Sequence, residues 1–258
     1  MNIYDCSNVT FSYPGAVSGR PLLDDLSLTV PAGITLGIIG PNGSGKSTLI
    51  KCLYKSLIPQ KGTINFNGTD LNQIGTRQLS KLLSVVVQSE SASLPLTVRE
   101  YVELGRATYH NAFEGYSSQD AEIADSSIEM LGLRELADIP ITRVSGGEHQ
   151  RAKLARALCQ STSTMLLDEP TNHLDIYFQH QILKIVKKRN LSAIVVLHDL
   201  NLAAIYCELI AVLDKGKIVA LGKPEDVLIP EVLEDVYRVT VQRIDTKHGV
   251  QLLLLPKD

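Results

Sequence analysis

The sequence predicts an α/β fold in which fully buried strands alternate with helices and a mostly helical stretch interrupts the series. Three observations carry this. Residues 34–39, 164–168, 192–197 and 209–213 are apolar enough for strands covered on both faces, as in a parallel sheet. The segments between the later runs have helical spacing, with Phe178, Ile182, Ile185 and Val186 sharing one face. A glycine-rich loop, Gly40-Pro41-Asn42-Gly43-Ser44-Gly45-Lys46-Ser47-Thr48, joins the first strand directly to a helix.

Up to about residue 87 the chain reads as short β-type runs at 9–13, 26–30, 34–39, 62–68 and 83–87, bounded by Gly, Pro and Asn. From Thr97 the character changes. Thr97-Val98-Arg99-Glu100 and Ser145-Gly146-Gly147-Glu148 have the S/T-x-x-E form of a capping box, and residues 120–131 carry apolar side chains at helical spacing. Residues 89–161 are therefore expected to form a helical insertion in a core made of 1–88 and 162–258. Lys215-Gly216-Lys217 reads as a tight hairpin, and 240–258 as a small terminal β-unit with no role legible in its residues.

Glycines let backbone N–H groups wrap a phosphate chain, because no Cβ intrudes and φ is free to turn positive. The helix starting near Lys46 adds its positive end, Lys46 supplies a point charge for the outer phosphates, and the Ser47 hydroxyl suits a Mg²⁺ ligand. Further on, a strand delivers Asp168-Glu169 to its carboxyl end, where open α/β sheets bind ligands, and Pro170 stops the ladder. Asp168 suits the Mg²⁺ shell and Glu169 can take a proton from an attacking water, although such a pair can also simply cap a helix. His198 ends the next strand, within reach of a terminal phosphate or as a structural residue. Gln88 closes the run before the insertion, able to hold Mg²⁺ or water or to serve as plain surface. At Ser145-Gly146-Gly147-Glu148 capping alone accounts for Ser145 and Glu148. The two glycines cost about 1 kcal/mol each against Ala, and they bare N–H groups as a second phosphate-binding surface, which suggests service to another copy of the chain.

Composition narrows the classes. The 258 residues carry a net charge of −3 with both signs dispersed, so nothing favours a nucleic-acid partner. Cys6, Cys52, Cys159 and Cys207 form no C-x-x-C pair, which argues against a zinc site or disulfide scaffold and fits a reducing compartment. The first six residues lack the regions of a signal peptide, and no apolar run approaches the ~20 residues that span a bilayer.

These residues resemble an ATP-binding cassette ATPase, the motor subunit of ABC transporters, over about residues 3–235. The resemblance implies a P-loop NTPase RecA-like core with an antiparallel β subdomain and an inserted helical subdomain. By similarity Gly40 to Thr48 is Walker A, Gln88 the Q-loop glutamine, Val144 to Arg151 the signature, Thr164 to Glu169 Walker B, and His198 the switch histidine. Asn172-His173-Leu174-Asp175 matches the D-loop, and Tyr13 takes the place of the aromatic that stacks on adenine. Val144 stands where Leu is usual and Glu148 where Gln is common. The family implies ATP and Mg²⁺ as ligands, a homodimer in which each ATP lies between one chain's Walker A and the other's signature, and integral membrane permease subunits at the cytoplasmic face of the cell membrane. Leu94 to Arg106, the D-loop and Leu197 to Ala203 are most similar to importers of iron–siderophore complexes, haem and cobalamin, which work with an extracytoplasmic substrate-binding protein. A soluble ABC ATPase, a cassette for another nutrient or for export, and a non-hydrolysing scaffold are the competing readings.

Overall fold

Alternation of apolar residues builds the first strands, and a bulge hides it from the sequence. In β1 (Asn2–Phe11) Tyr4 and Cys6 are buried, Ser7 and Asn8 are both exposed, and Val9 and Phe11 are buried again. Asn8 sits at φ +53° where the pairing with β2 (Leu23–Pro31) slips, so the extra residue keeps the apolar side chains on one face. The expected strand at 9–13 is thus a longer one that ends before Tyr13. The computed structural model describes residues 1–15, 20–88, 95–111, 114–189, 191–247 and 249–257. The start of the expected helical insertion at 89, with Leu94, lies outside them.

The chain continues through β3 (Thr35–Ile39), α1 (Lys46–Leu53), β4 (Lys61–Phe66), β5 (Thr69–Asp70), α2 (Thr76–Leu82) and β6 (Leu83–Val86). Helix α2 corrects the strand-rich reading of this region. It buries only Leu79, so it presents no apolar stripe to recognise. Then come α3 (Val98–Glu103), α4 (Ser118–Met130), α5 (Gly146–Cys159), β7 (Thr164–Asp168), α6 (Ile176–Lys188), β8 (Ser192–Val196) and α7 (Leu200–Tyr206). The chain closes with β9 (Leu209–Asp214), β10 (Lys217–Gly222), α8 (Pro224–Val227), α9 (Pro230–Tyr237), β11 (Val239–Thr246) and β12 (Gly249–Pro256). Contacts divide the chain into two units, Met1–Ile74 with Lys184–Asp258, and Gly75–Leu183.

In the first unit an antiparallel sheet runs β2-β1-β4-β5. Tyr4 packs against Phe66 with the rings tilted at 52° and their centroids 5.0 Å apart, and it donates its hydroxyl to the Leu53 carbonyl at 2.8 Å, satisfying one of the acceptors left at the end of α1. The other strands follow the order β10-β9-β3-β8, with β3 parallel to both β8 and β9. The β9–β10 turn places Lys215 at φ +46° and Gly216 at φ +81°, the backbone a two-residue hairpin requires. The terminal unit is the β11–β12 hairpin, held to α7 by paired Asn201–Leu252 hydrogen bonds and to α9 by Glu234, whose carboxylate accepts the Val241 N–H at 2.8 Å.

In the second unit β6 and β7 pair in parallel. Helices α3, α4 and α5 each begin with a reciprocal capping box, from Thr97 and Glu100, Ser117 and Asp120, and Ser145 and Glu148. The two boxes read from the sequence form; the Ser117 box ends in Asp and escapes the S/T-x-x-E pattern. Among the described residues no helix is long and apolar enough to cross a membrane. All four cysteines are buried and free of disulfides.

Candidate functional site

The first unit carries the glycine loop. Strand β3 is buried throughout, and the chain leaves it at Gly40 with φ +149°. A Cβ there would lie 2.1 Å from the Leu213 carbonyl oxygen, and one at Gly45, φ +108°, would lie 2.9 Å from that of Leu22. Packing therefore demands both glycines, whereas Gly43 at φ +79° faces open space and alone among the three leaves room for a ligand beside its backbone. Gly45 caps α1 without any side-chain hydrogen bond, so the first-turn N–H groups have no side-chain partner at the cap. The Lys46 ammonium is buried and donates to the Gly40 carbonyl at 2.7 Å and the Pro41 carbonyl at 3.0 Å. Ser44 Oγ is buried with no hydrogen-bond partner. Asn42 is exposed, Ser47 half-buried and Thr48 buried at the helix start. An uncapped helix, a centred cation and an orphaned hydroxyl fit a phosphate chain.

Tyr13 lies beyond β1, 40% exposed, its ring edge-on to Phe11 at 5.0 Å. It lines a cleft of about 560 Å³ with Ser12, Arg20, Leu22, Gly43 and Lys215, so the cavity runs from an aromatic ring to the phosphate loop. His198 is exposed just past β8, and its neighbour Asp199 caps α7, accepting from Asn201 N at 2.7 Å and Leu202 N at 3.1 Å.

The second unit carries the acidic pair. Val86 pairs with Leu167, so Gln88 and Asp168-Glu169 emerge from matching ends of parallel strands. The Gln88 side-chain amide donates to Glu169 Oε2 at 2.6 Å, and the Asn172 amide donates to the same oxygen. Asp168 and Glu169 are both buried, and Glu169 sits at φ +54°, a conformation a non-glycine residue holds only when its surroundings impose it. Among the described residues no three His, Cys, Asp or Glu side chains cluster as a metal site. Within this unit the Asp168 carboxylate and the Gln88 side-chain carbonyl are oxygen donors of the kind that suits a Mg²⁺ keeping several waters in its shell.

At α5, Ser145 Oγ accepts the Glu148 N–H, and the Glu148 carboxylate accepts the Ser145 N–H at 2.7 Å. That backbone donor first, and the hydroxyl second, lower the Glu148 pKa. Gly146 faces open space, but a Cβ on Gly147 would lie 3.1 Å from the His173 carbonyl. The glycine pair thus has two reasons, one an open backbone and the other a close approach. Asp175 accepts the Phe178 N–H at 2.9 Å and so starts α6.

Three residues of the signature and D-loop matches make contacts that the sequence reading does not assign. The amide of Asn172 holds Glu169. Gln150 donates to the Pro170 carbonyl at 3.1 Å, joining α5 to the turn after β7. Arg151 donates to the Leu131 and Gly132 carbonyls at 2.8 and 3.0 Å and lies 4.0 Å over the Phe178 ring. Their places in the signature and the D-loop are legible in the sequence, but these particular partners are not.

A strand–loop–helix phosphate cradle and a separate strand ending in a held carboxylate define a phosphate-loop nucleotide-binding protein. The family model described as ABC transporter matches residues 23–172, and the chain belongs to that family as one of its ATP-binding subunits. It is 35% identical over 247 residues to the "Probable siderophore transport system ATP-binding protein" of Bacillus subtilis (strain 168), covering 94% of this chain and 88% of that one. It is 37% identical over 242 residues to the hemin import ATP-binding protein of Rhodococcus jostii (strain RHA1), covering 93% and 82%. A solved ABC transporter described as of metal-chelate type, in an inward-facing conformation, superposes with a TM-score of 0.83 at 25% identity, covering 100% of this chain and 98% of that one.

Proposed function

We propose that this chain hydrolyses ATP to drive import of a metal chelate such as an iron–siderophore complex, haem or cobalamin. It works as a head-to-tail homodimer on permease subunits at the cytoplasmic face of the cell membrane, fed by an extracytoplasmic binding protein. The supporting observation is Glu169, a buried carboxylate at a strand end in a strained backbone conformation, held through Oε2 by Gln88 and Asn172. Its other oxygen is the base. Water attacks the γ-phosphorus, the bond to the ADP oxygen breaks, and the water proton passes to Glu169. Tyr13 takes the adenine face, the loop N–H groups from Gly40 to Thr48 and Lys46 take the phosphates, and His198 meets the terminal phosphate. Ser47, Asp168 and Gln88 are the residues that would hold Mg²⁺, which would supply charge neutralisation at the phosphate oxygens. Ser145, Gly146, Gly147 and Glu148 face the partner copy's nucleotide, with Asp175 beside them, so the site is complete only when two copies close on each other.

The likeness to siderophore and hemin import subunits supports the substrate class. The test is the purified chain with its permease in vesicles: ATPase should rise several-fold on adding a binding protein loaded with a ferric siderophore, haem or cobalamin. Recovery with ribosomes or DNA instead of an integral membrane protein would overturn the transport reading.

A further inference from the structure

The turn between β7 and α6 carries Glu169 and turns left-handed twice, at Glu169, φ +54°, and at His173, φ +63°. Non-glycine residues keep that conformation only under restraint from their surroundings. The turn supplies little restraint of its own. The Asn172 N–H reaches the Glu169 carbonyl at 3.3 Å and the Leu174 N–H reaches the Thr171 carbonyl at 3.4 Å, both long. Pro170, next to Glu169, has no N–H to give and offers only its carbonyl. Gln150 of α5 takes that carbonyl: its side chain is 6% exposed, and its amide donates to the Pro170 oxygen at 3.1 Å. Three residues earlier, on the same face of α5, Gly147 lets the helix approach the His173 carbonyl, where a Cβ would stand 3.1 Å away. One face of α5 thus meets the turn at both of its left-handed stretches. Gln179 of α6 donates farther along, to the Leu174 carbonyl at 3.1 Å.

Gln88 and Asn172 orient the Glu169 carboxylate, whereas Gln150 acts on the backbone beside it. We propose that Gln150 is a positioning residue for hydrolysis: it anchors the chain at Pro170 so that Glu169 of its own copy stays fixed while it takes the proton from water. The same helix begins at Ser145-Gly146-Gly147-Glu148, the surface proposed for the partner copy's nucleotide. Gln150, one turn further in, serves the base of its own chain and not the partner's ATP. The proposal rests on the ATPase reading above.

The test is Gln150→Met in the full chain with its permease. Methionine keeps an unbranched side chain and helix propensity and removes the donor. The kcat, counted per chain that binds a fluorescent ATP analogue, should fall on the order of 10-fold, with the KM for ATP within twofold. Counting binding-competent chains separates a misplaced base from a smaller folded fraction. Combined with Glu169→Gln, where no base is left to position, Gln150→Met should bind the analogue and form the ATP-bound dimer on size-exclusion chromatography as Glu169→Gln alone does. Weaker binding or dimer formation in the double variant, or a KM raised in the single one, overturns the proposal and assigns Gln150 to the partner's nucleotide. An unchanged kcat in Gln150→Met also overturns it and leaves the ATPase reading intact. A wild-type chain that neither binds nor hydrolyses ATP removes the ATPase reading, and this proposal with it.

Discussion

The Gln88 amide donates to Glu169 Oε2 at 2.6 Å, and Asn172 donates to that same oxygen, so two neutral donors orient one carboxylate and leave its second oxygen clear of them. On the proposal that Glu169 is the base, turning its carboxylate into an amide removes that function while phosphate contacts elsewhere remain. Glu169→Gln should cut phosphate release by about 10²–10⁴-fold and trap an ATP-bound dimer, visible by size-exclusion chromatography. A wild-type rate would show that another group takes the proton.

Asn172 offers a milder perturbation. Asn172→Ala removes one of the two donors without touching the phosphate loop, so kcat should fall on the order of 10-fold with ATP affinity unchanged. Loss of affinity with kcat preserved would place Asn172 in binding and not in orientation.

Ser145 is engaged at home as the cap of α5, and its replacement has two separable consequences. Ser145→Ala should cost about 1 kcal/mol of stability through the lost cap. Ser145→Arg should in addition block turnover while a lone chain binds ATP normally, because the bulk falls on the partner's nucleotide. Undiminished ATPase in Ser145→Arg would rule out a shared pocket.

The loop glycines should differ in the reason they fail. Gly40→Ala drives a Cβ to 2.1 Å from the Leu213 carbonyl, and unfolding midpoints should drop markedly, by a few kcal/mol in stability. Gly43→Ala meets no neighbouring atom and pays only for φ +79°, about 1 kcal/mol, so it should fold and bind ATP weakly. Thermal denaturation alongside nucleotide titration separates the two.

Asp120 sets a pH dependence. Hydrogen bonds from Ser117 and then Arg106 hold its pKa well below the usual carboxylate range, and Arg106 Nε lies 2.8 Å from it. A lowered folded-state pKa contributes stability that is present above the unfolded value near 4 and lost as pH falls towards the folded one. Asp120→Asn should therefore destabilise the chain at pH 7 by about 3 kcal/mol, with the gap from wild type narrowing below pH 4. A gap independent of pH would mean the charge of Asp120 plays no part.

The features legible in the chain were those encoded over a few consecutive residues. The loop from Gly40 to Thr48, the buried runs of β3, β7, β8 and β9, the capping boxes at Thr97 and Ser145 and the Lys215-Gly216 hairpin each rest on local dihedrals, caps and periodicity, and each stands where the spacing put it. What spacing could not reveal depends on partners distant along the chain. The bulge at Asn8 is set by the register with β2, α2 by a lone buried Leu79, Gly147 by the His173 carbonyl, and the hold on Glu169 by Gln88, 81 residues away. Tyr237, which lines one cavity with Asn42 and Ser44, belongs to the same group, because residues so far apart meet only after the helix and strands between them have packed.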